Sequence, residues 1–432
     1  MPDSFEIQTH NVTADGRGVA RLPDGSISFI ARSLAGEQVL AQAVARSRGV
    51  THSRTLRVLH AAASRIPPAC PAYGSCDGCQ WLHATPDAEY SALESALHEQ
   101  LERLGRLTLP AAEPAIRLPR TGSRDRLSLQ LDETGTLYWL GPAVPQGSQR
   151  LRHAPWQKQA AGCVAAHPDL NAAGQQLQAA LYEYWSSDLR DELRSARRAG
   201  HVPHVVLARS LHSTHAALAW GNAPLARMLD PAMHDEPLWV AQDQAHPVNP
   251  VPWYGTTIHN DPRGFFQPSL AGASALAATL RDWTTGQHVG TLFDLYGGQG
   301  LWAWALADRC ERAHVVDASG YRPAQCPTQW RWQRSDLSRA QLDTRELWAG
   351  TAPQREDLVV VDPPRAGLSR AVLQGLSTCD AKRLIYISCG PDALARDLQV
   401  LTRDGQWQLR RWRVLHQFPG SGHAEVLVEL VR

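Results

Sequence analysis

Cys389 occupies a position at which a cysteine side chain could act as a nucleophile. It follows the apolar run RLIYIS (383–388), which predicts a buried strand, and it precedes a Gly-Pro turn and the helical sequence DALARDL. The dipole of that helix would stabilise a thiolate, the reactive form of cysteine. A lone cysteine can equally be a small buried apolar side chain, so this position alone leaves both interpretations open.

Two further segments carry residue types that bind nucleotides. The sequence LFDLYGGQGLWAWALA joins a predicted strand to a helix through a glycine-rich turn, which lets backbone amides approach a ligand. Asp317 ends the next strand, AHVVDA (313–318), where an acidic side chain can accept hydrogen bonds from ribose hydroxyls. Together they predict a nucleoside-containing cofactor, the alternative being a turn that only reverses the chain. The lack of a GxxxxGK(S/T) sequence argues against a nucleoside triphosphatase.

Asp362 ends a third apolar run, DLVVVD (357–362), directly before two prolines. The prolines restrict the turn that follows, so the carboxylate is expected to project over the edge of a sheet. A hydrogen-bond acceptor held there can bind the N–H edge of a base.

Cysteines supply the other chemical signal. Cys70, Cys76 and Cys79 lie together in RIPPACPAYGSCDGCQWLH, whereas the remaining five are scattered through a chain of 432 residues that is too large to need disulfide bonds. The N-terminus does not resemble a signal peptide, and no apolar run approaches the ~18 residues of a membrane helix. We therefore expect a reduced, cytosolic protein without a membrane partner, in which the clustered cysteines serve metal or redox chemistry.

The elements that must position these residues fall into three predicted domains. Residues 1–62 alternate apolar and polar positions between glycine-containing breaks, which predicts a small antiparallel β-barrel. Residues 63–255 combine the cysteine segment, a helix at 87–104, a hairpin, a long helical stretch and further strands, and are read as α+β. Residues 256–432 alternate short apolar strands with helices and end in a hairpin, as in a doubly wound α/β sheet.

Net charge gives no global signal, since 43 Lys and Arg residues balance 42 Asp and Glu residues. Between Met1 and Arg65, however, eight arginines face five acidic residues. This local excess suits the phosphates of RNA, although a solvated barrel surface would have the same composition.

Several motifs resemble one known family when they are taken in order. DLYGGQG, DPPRAGL, SCGPDALARDL and FPGSGHAEVLVEL look like motifs of the S-adenosylmethionine-dependent RNA uracil-5-methyltransferases, and GFFQPS (264–269) resembles the Phe–Gln motif that opens their catalytic domain. The N-terminal barrel resembles their TRAM RNA-binding module. The C-x5-C-x2-C spacing, followed by Cys163 in GCVAAHPDL, resembles the ligands of their 4Fe–4S cluster. The similarity covers nearly the whole chain.

That resemblance implies a Rossmann-like methyltransferase domain and a set of roles. Cys389 would add to carbon 6 of uracil, and Glu425 would remove the proton from carbon 5, with His423 as a structural neighbour. Asp362 would also hold the polar edge of the ring. The residues implied in the pocket for S-adenosylmethionine and uracil are Gln267, Tyr296, Gly298, Gly300, Asp317, Asp336 and Asp362.

The resemblance also implies that Cys70, Cys76, Cys79 and Cys163 bind the 4Fe–4S cluster. Four thiolates suit a structural zinc ion as well, so zinc remains the alternative occupant. The other three cysteines, Cys310, Cys326 and Cys379, are expected to be ordinary small side chains.

The chain departs from the family pattern at several positions. Glycine replaces the common cysteine at position 297, Leu301 replaces a polar or small residue, Asp317 replaces glutamate and Gly390 replaces asparagine. The segment 318–336 is shorter than usual, which leaves the alignment of Asp336 open.

The expected function is methyl transfer from S-adenosylmethionine to carbon 5 of a uridine in RNA. The RNA is expected to be 23S rRNA, because a barrel and a cluster together resemble the large-subunit rRNA branch of the family. The alternatives are a tRNA uridine-5-methyltransferase and an RNA-binding protein of this fold that has no turnover.

Overall fold

The structure is a computed structural model that describes residues 4–74, 76, 78–139, 162–183, 185–198, 204–218, 246–319, 322, 326–339, 342–348, 350–403 and 406–432. Within these residues the chain forms an N-terminal sheet, a middle α+β region and a large sheet with helices on both faces.

The N-terminal sheet has six strands in the order β1-β5-β6-β4-β3-β2. They are β1 (Phe5–Gln8), β2 (Asn11–Val12), β3 (Arg17–Arg21), β4 (Ile27–Ala31), β5 (Gln38–Ser47) and β6 (Val50–His60). Its core contains the buried side chains Ala20, Ile30, Val39 and Ala41. The prediction of an antiparallel barrel is wrong in one pairing: the long β5–β6 hairpin folds back so that β6 runs parallel to β4. The result is an open half-barrel.

The helix predicted at 87–104 is α1 (Pro86–Arg103). A proline and two acidic residues occupy its first turn, as helix N-termini favour. Its buried face includes Leu97 and Leu101, which belong to a core formed with the large sheet. The segment that follows the cysteines is therefore anchored on the large sheet. The next strand, β7 (Glu113–Arg117), also joins the large sheet.

The middle region is an antiparallel sheet packed against two helices, which agrees with the predicted α+β character. Its elements are β8 (Arg126–Leu131), β9 (Leu137–Trp139), α2 (Pro168–Glu183), α3 (Ser187–Arg198), β10 (His204–Arg209) and β11 (Thr214–Leu218), with the strand order β11-β10-β8-β9. The long helical stretch predicted from sequence is thus two helices. The ends of the predicted segments at 140–141, 199–203 and 219–221 lie outside the described residues.

A hairpin leads from the middle region into the large sheet. It consists of β12 (Pro250–Trp253) and β13 (Thr256–His259). Tyr254 and Gly255 form its turn with φ values of 39° and 80°. The domain boundary predicted between residues 255 and 256 falls in this turn.

The large sheet has eight strands in the order β16-β15-β14-β17-β18-β20-β19-β7. Its remaining strands are β14 (Val289–Leu295), β15 (Cys310–Asp317), β16 (Arg331–Arg334), β17 (Leu358–Val361), β18 (Arg383–Ser388), β19 (Gln408–Phe418) and β20 (His423–Val431). The strands from β16 to β18 are parallel, and β20 is antiparallel to both β18 and β19. All four predicted strands and the final hairpin are present, which confirms the Rossmann-like sheet.

Helices cover both faces of this sheet. They are α4 (Leu270–Trp283), α5 (Leu301–Ala305), α6 (Thr344–Leu347), α7 (Arg370–Thr378) and α8 (Pro391–Leu401). One core packs α4 and α5 on the sheet, and the other packs α1, α7 and α8 on the opposite face. Because β17 is covered on both faces and fully buried, its sequence LVVV is continuously apolar. None of the described helices is long and apolar enough to cross a membrane.

Candidate active site

A cavity of about 1170 Å³ opens at the carboxyl ends of the parallel strands. Each of the five strands contributes a lining residue at or just beyond its end: Tyr296 for β14, Asp317 for β15, Asp336 for β16, Asp362 for β17 and Cys389 for β18. From β14 the chain continues to β15 and β16 on one side of the sheet, and it then crosses to β17 and β18 on the other side. The strand order therefore reverses between the neighbours β14 and β17. Ligands of doubly wound sheets bind at such a switch point.

The residues predicted for the site share this cavity with one exception. Those that line it are Gln267, Tyr296, Gly298, Asp317, Asp336, Asp362, Cys389, Glu425, Cys70, Cys76, Cys79 and Cys163. Gly300 is not among the lining residues. A Cβ on Gly300 would lie 2.8 Å from the Trp332 ring, so this glycine allows close packing against β16 and is not itself a wall of the cavity.

The turn after β14 exposes its backbone to the cavity. Tyr296 and Gly298 adopt left-handed φ values of 60° and 55°, and a Cβ on Gly298 would meet nothing within 4 Å. A Cβ on Gly297 would instead lie 2.7 Å from Val315. The glycine at position 297, a departure from the family pattern, thus fits a site with no room for a side chain. A ligand can approach the backbone at Gly298.

Two carboxylates lie beside this turn. Asp317 is half-buried, and its Oδ1 accepts the backbone N–H of Ser319 at 2.7 Å. Asp336 is exposed, and its Oδ1 accepts both the N–H and the hydroxyl of Ser338, at 3.0 and 2.6 Å. The shortened segment before β16 therefore still brings Asp336 to the cavity. In each carboxylate the second oxygen is the one that remains for a ligand.

Asp362 is held from two sides through a single oxygen. Gln267 donates its Nε2–H to Asp362 Oδ2 at 3.1 Å, and the Trp302 indole donates to the same oxygen at 3.3 Å. Burial raises the pKa of Asp362 to about 7, and the two hydrogen bonds oppose that rise. Because both donors use Oδ2, Oδ1 is available to a ligand.

Strand register brings Cys389 and Glu425 together. Ile387 pairs with Leu427, and Ser388 pairs with Val426, in the antiparallel contact between β18 and β20. Cys389 and Glu425 each lie one residue beyond the Ser388–Val426 pair, and the side chain of Glu425 is 5% exposed. The two sequence motifs are therefore brought to one edge of the sheet, where both residues line the cavity.

Burial shapes the acid–base properties of this pair. Burial, with the nearby carboxylates of Glu425 and Asp362, raises the pKa of Cys389 to about 11. Burial and the charge of Asp362 raise the pKa of Glu425 to about 8. Arg365 opposes both shifts, since its guanidinium favours the charged form of each neighbour. Arg365 is thus a cation that acts on both Cys389 and Glu425.

Gly390 allows the backbone of Arg365 to lie close to the turn that carries Cys389. A Cβ at position 390 would lie 2.5 Å from the carbonyl oxygen of Arg365 and 3.3 Å from its Cα. The glycine, another departure from the family pattern, lets the Asp-Pro-Pro-Arg turn pack directly against the turn that carries Cys389.

Comparison with known proteins agrees with this geometry. A family model described as tRNA (uracil-5-)-methyltransferase matches residues 354–432. The 23S rRNA (uracil(1939)-C(5))-methyltransferase RlmD of Xanthomonas campestris is 28% identical over 98% of this chain and 96% of its own length. The protein of the same name from Pseudomonas putida is 28% identical over 98% of this chain and 92% of its own length. These similarities support an S-adenosylmethionine-dependent RNA uracil-5-methyltransferase.

The fold of this RNA uracil-5-methyltransferase has a solved counterpart. The tRNA (uracil-54, C5)-methyltransferase of Pyrococcus abyssi, in complex with S-adenosyl-L-homocysteine, superposes with a TM-score of 0.63, covering 99% of this chain and 100% of that one at 16% identity. The likeness extends over the half-barrel, the middle region and the large sheet. The family resemblance predicted from the motifs is confirmed.

Four cysteines form one wall of the methyltransferase cavity. All eight cysteines lie in the described part of the chain, and none forms a disulfide. Burial raises the pKa of Cys79 to about 12, and the nearby thiols of Cys70, Cys76 and Cys163 act in the same direction, whereas Arg124 lowers it. The segment that carries Cys70, Cys76 and Cys79 and the distant Cys163 therefore lie close together, beside Arg124.

Four cysteine thiols can hold either a 4Fe–4S cluster or a structural zinc ion, so the residue types of this wall are compatible with both groups. No group of three or more His, Cys, Asp or Glu side chains among the described residues is arranged to hold one metal ion. Cluster binding itself stays a prediction. The other three cysteines, as expected, pack in or against the hydrophobic cores.

Several lining residues were not predicted from the sequence. Arg126 anchors the loop before the Phe–Gln motif by donating to Asn260 Oδ1 at 2.9 Å and to the carbonyl of Gly264 at 2.6 Å. Phe265 follows that loop and is 80% exposed at the cavity. Arg365 lies inside a motif that was recognised, so its position was available, but its role depends on packing that the sequence does not reveal.

Proposed function

We propose that this enzyme transfers the methyl group of S-adenosylmethionine to carbon 5 of a uridine in 23S rRNA. The observation that carries the proposal is the meeting of a cysteine, a buried glutamate and a half-buried aspartate in one cavity with a glycine-rich turn. The full-length relatives named for 23S rRNA methylation support the choice of RNA.

S-adenosylmethionine would supply an electrophilic methyl group on a sulfonium. The open backbone at Gly298 fits its amino-acid part, and the available oxygens of Asp317 and Asp336 fit hydroxyl and amine donors. The aspartate at position 317 is one methylene shorter than glutamate, so its ribose contact would need a closer approach or a bridging water.

The chemistry of uracil explains why a cysteine and a carboxylate are paired. Carbon 5 is a weak nucleophile, so the Cys389 thiolate would first add to carbon 6 and convert the ring to an enolate. Carbon 5 of that enolate then takes the methyl group, and S-adenosylhomocysteine departs. Glu425 would remove the proton from carbon 5, and the electron pair expels the Cys389 thiolate to restore the ring. Each bond made is thereby balanced by one broken.

Burial of the thiol is the main obstacle to the first step. With a pKa raised to about 11, chiefly by burial and further by the carboxylates of Glu425 and Asp362, Cys389 is largely protonated at neutral pH. Arg365 is the protein cation that counters them, and the sulfonium of the donor would add a second positive charge. We therefore expect thiolate formation to depend on a filled site.

The target base must leave its stack in the RNA to enter the cavity that Cys389 and Glu425 line. A uridine in a folded RNA has to leave its stack, at a cost of a few kcal/mol that backbone contacts must offset. The half-barrel supplies exposed arginines, including Arg48 and Arg57, for such contacts.

The cysteine wall would hold the 4Fe–4S cluster through Cys70, Cys76, Cys79 and Cys163. Bound there, a cluster would link the segment that carries Cys70, Cys76 and Cys79 to the middle region through Cys163, and it would shape the surface that contacts RNA. Protein purified without oxygen should be brown, absorb near ~400 nm and contain about four irons. A colourless protein with about one zinc per chain would support the zinc alternative instead.

The decisive experiment traps the covalent intermediate. RNA that contains 5-fluorouridine should form a stable adduct with the enzyme in the presence of S-adenosylmethionine, since carbon 5 carries fluorine in place of the proton that the base must remove before the thiolate can be expelled. Cys389→Ala should form none, whereas Cys310→Ser, the matched control on β15, should behave as the wild type. Adducts with 23S rRNA fragments and not with tRNA would support the proposed substrate, and the reverse would favour tRNA methylation. Tight RNA binding without any adduct or methyl transfer would contradict the enzyme proposal.

A further inference from the structure

Gln417 is a fully buried polar residue that none of the predicted motifs uses. It lies in β19, where Leu415 pairs with Glu425 and Phe418 pairs with His423 on β20. Two residues of β19 are thus opposite one of β20, which is a β-bulge. Bulges beside active sites commonly redirect a side chain, and this bulge lies across from the proposed base.

The amide of Gln417 contacts the cavity through a second amide. Gln417 donates its Nε2–H to Gln267 Oε1 at 2.9 Å, and Gln267 donates its own Nε2–H to Asp362 Oδ2 at 3.1 Å. The other end of Gln417 packs under α4, where a Cβ on Gly272 would lie 2.7 Å from Gln417 Oε1. A chain of donors therefore runs from the bulge to the carboxylate.

The direction of these two hydrogen bonds fixes which end of the Gln267 amide faces Asp362, because an amide has one donor end and one acceptor end. With its oxygen occupied by Gln417, the Gln267 amide can present only its N–H to Asp362. An ionised carboxylate accepts that bond, whereas a protonated one would compete to donate. Loss of the Gln417 donor would free Gln267 to turn its oxygen toward a protonated Asp362.

We propose that Gln417 is a positioning residue, which fixes the orientation of the Gln267 amide and through it holds Asp362 as a hydrogen-bond acceptor. The inference rests on the proposed function only for the identity of the ligand, a uracil ring whose N–H edge Asp362 would bind.

Other charges face Asp362 and must stay constant in any test. They are Asp294 on β14, Cys389 after β18, Glu425 on β20 and Arg365 in the same turn as Asp362. Replacing Gln417 alters none of these groups.

The Trp302 indole reports the protonation of Asp362 directly, since its N–H donates to Asp362 Oδ2. We would label the 15 tryptophans with nitrogen-15, assign the Trp302 signal with Trp302→Phe and follow it against pH. The wild-type midpoint should lie at about 7 and disappear in Asp362→Asn. In Gln417→Met, which has similar length and no donor, the midpoint should rise by about one pH unit.

A matched control separates this effect from general damage. Gln178→Met removes another buried glutamine that bridges backbone groups in the middle region, at Leu137 and Gly135, and should leave the midpoint unchanged. Gln417→Leu removes the same donor with a different shape and serves if the methionine variant does not fold. An unchanged midpoint in a folded Gln417 variant, or an equal shift in the control, overturns the inference.

Methyl transfer provides an independent readout. The acidic limb of the rate profile should move to higher pH in Gln417→Met, while the rate well above the midpoint should return to the wild-type value. A loss of rate that is equal at every pH would mean a merely structural role and contradict the inference. The nitrogen-15 titration decides the question even if the protein methylates no RNA, so the two proposals fail separately.

Discussion

Individual side chains at this site are governed by the balance between burial and one cation. Cys389, Glu425 and Asp362 each resist ionisation because they are buried close together. Arg365 is the group that opposes this resistance at both Cys389 and Glu425. The ionisation of Cys389 and Glu425 therefore depends on the charge of Arg365.

Replacing Arg365 should make Cys389 less reactive. In Arg365→Met the pKa of the thiol should rise above its value of about 11, so the fraction of thiolate falls at every lower pH. The rate of alkylation of Cys389 by iodoacetamide, followed by peptide mass spectrometry, should decrease about threefold to tenfold. Arg370→Met, at an exposed arginine of the following helix, is the control and should leave the rate unchanged. Equal alkylation rates in both variants would show that Arg365 does not lower the pKa of Cys389.

Replacing Glu425 should separate the two halves of the reaction. Glu425→Gln retains the shape but cannot accept the carbon-5 proton, so methylated uridine should stay attached to Cys389. We expect release of product to fall by about 100-fold or more and a covalent RNA complex to accumulate with ordinary uridine. Denaturing gels would detect that complex. Normal turnover in Glu425→Gln would exclude Glu425 as the base, and Glu356→Gln, at an exposed position, should behave as the wild type.

At the scale of elements, short turns decide which side chains meet. The parallel strands bring their carboxyl ends to one edge, but the close approach of two turns is possible only because residue 390 has no side chain. The turn that carries Arg365 and the turn that carries Cys389 thus form one packed unit.

Gly390→Ala should disturb this unit. A methyl group 2.5 Å from the Arg365 carbonyl forces the two turns apart, which should lower the free energy of unfolding by about 1–3 kcal/mol and slow adduct formation. Urea denaturation and 5-fluorouridine trapping would measure the two effects. Gly264→Ala, where a Cβ would meet nothing within 4 Å, should cause neither effect. A fully stable and active Gly390→Ala would show that the contact is tolerant.

The half-barrel should contribute electrostatically to RNA binding. Arg48 and Arg57 are exposed on β5–β6, whereas Arg17 and Arg65 are committed to ion pairs with Asp15 and Glu37. Replacing either exposed arginine by alanine should weaken binding and reduce the slope of log affinity against log salt by about 0.7–0.9.

Filter binding at several salt concentrations would measure this slope. Arg103→Ala, at an arginine of α1 that is paired with Glu99 at 2.6 Å, is the matched control. An unchanged slope in both half-barrel variants would indicate that the RNA phosphates bind another surface.

The sequence predicted some elements well and missed others for a physical reason. Strands β14, β15, β17 and β18 are central, so their apolar runs were recognisable. β16 and β7 lie at the two edges of the sheet, and their sequences, RWQR and EPAIR, are too polar to show a core pattern. Edge strands are defined by their partners, which a single local sequence does not reveal.

Site residues divide in the same way. The residues at strand ends could be predicted because parallel strands share one edge. Gln417, Arg124 and Arg365 act through contacts between distant segments, and Gln417 contacts a residue 150 positions away. No local pattern distinguishes such a glutamine from any other residue of a buried strand.

For the whole molecule, the buried carboxyl groups predict an unusual dependence of stability on pH. Burial raises the pKa of Asp294 to about 8, as it raises those of Asp362 and Glu425. Between the unfolded and folded pKa values the folded state binds more protons, so the free energy of unfolding falls as pH rises toward about 8.

Removing one of these groups should flatten that dependence. In Glu425→Gln the slope over this range should be shallower by up to one proton, which is about 1.4 kcal/mol per pH unit. Urea denaturation at several pH values would measure it, with Glu356→Gln as the exposed control. Identical slopes in wild type and Glu425→Gln would mean that Glu425 ionises normally.

The position of β7 has a consequence for how the chain can be divided. This strand precedes the middle region in sequence, yet it completes the large sheet beside β19, where Glu113 pairs with Arg413 at 2.7 Å and accepts the Trp283 indole at 2.9 Å. During synthesis β7 therefore emerges long before its partner strand exists. A fragment that begins at residue 256 would leave β19 as a bare edge, open to pairing with other chains. Residues 256–432 alone therefore do not contain the whole of the large sheet, because its last edge strand comes from residues 113–117.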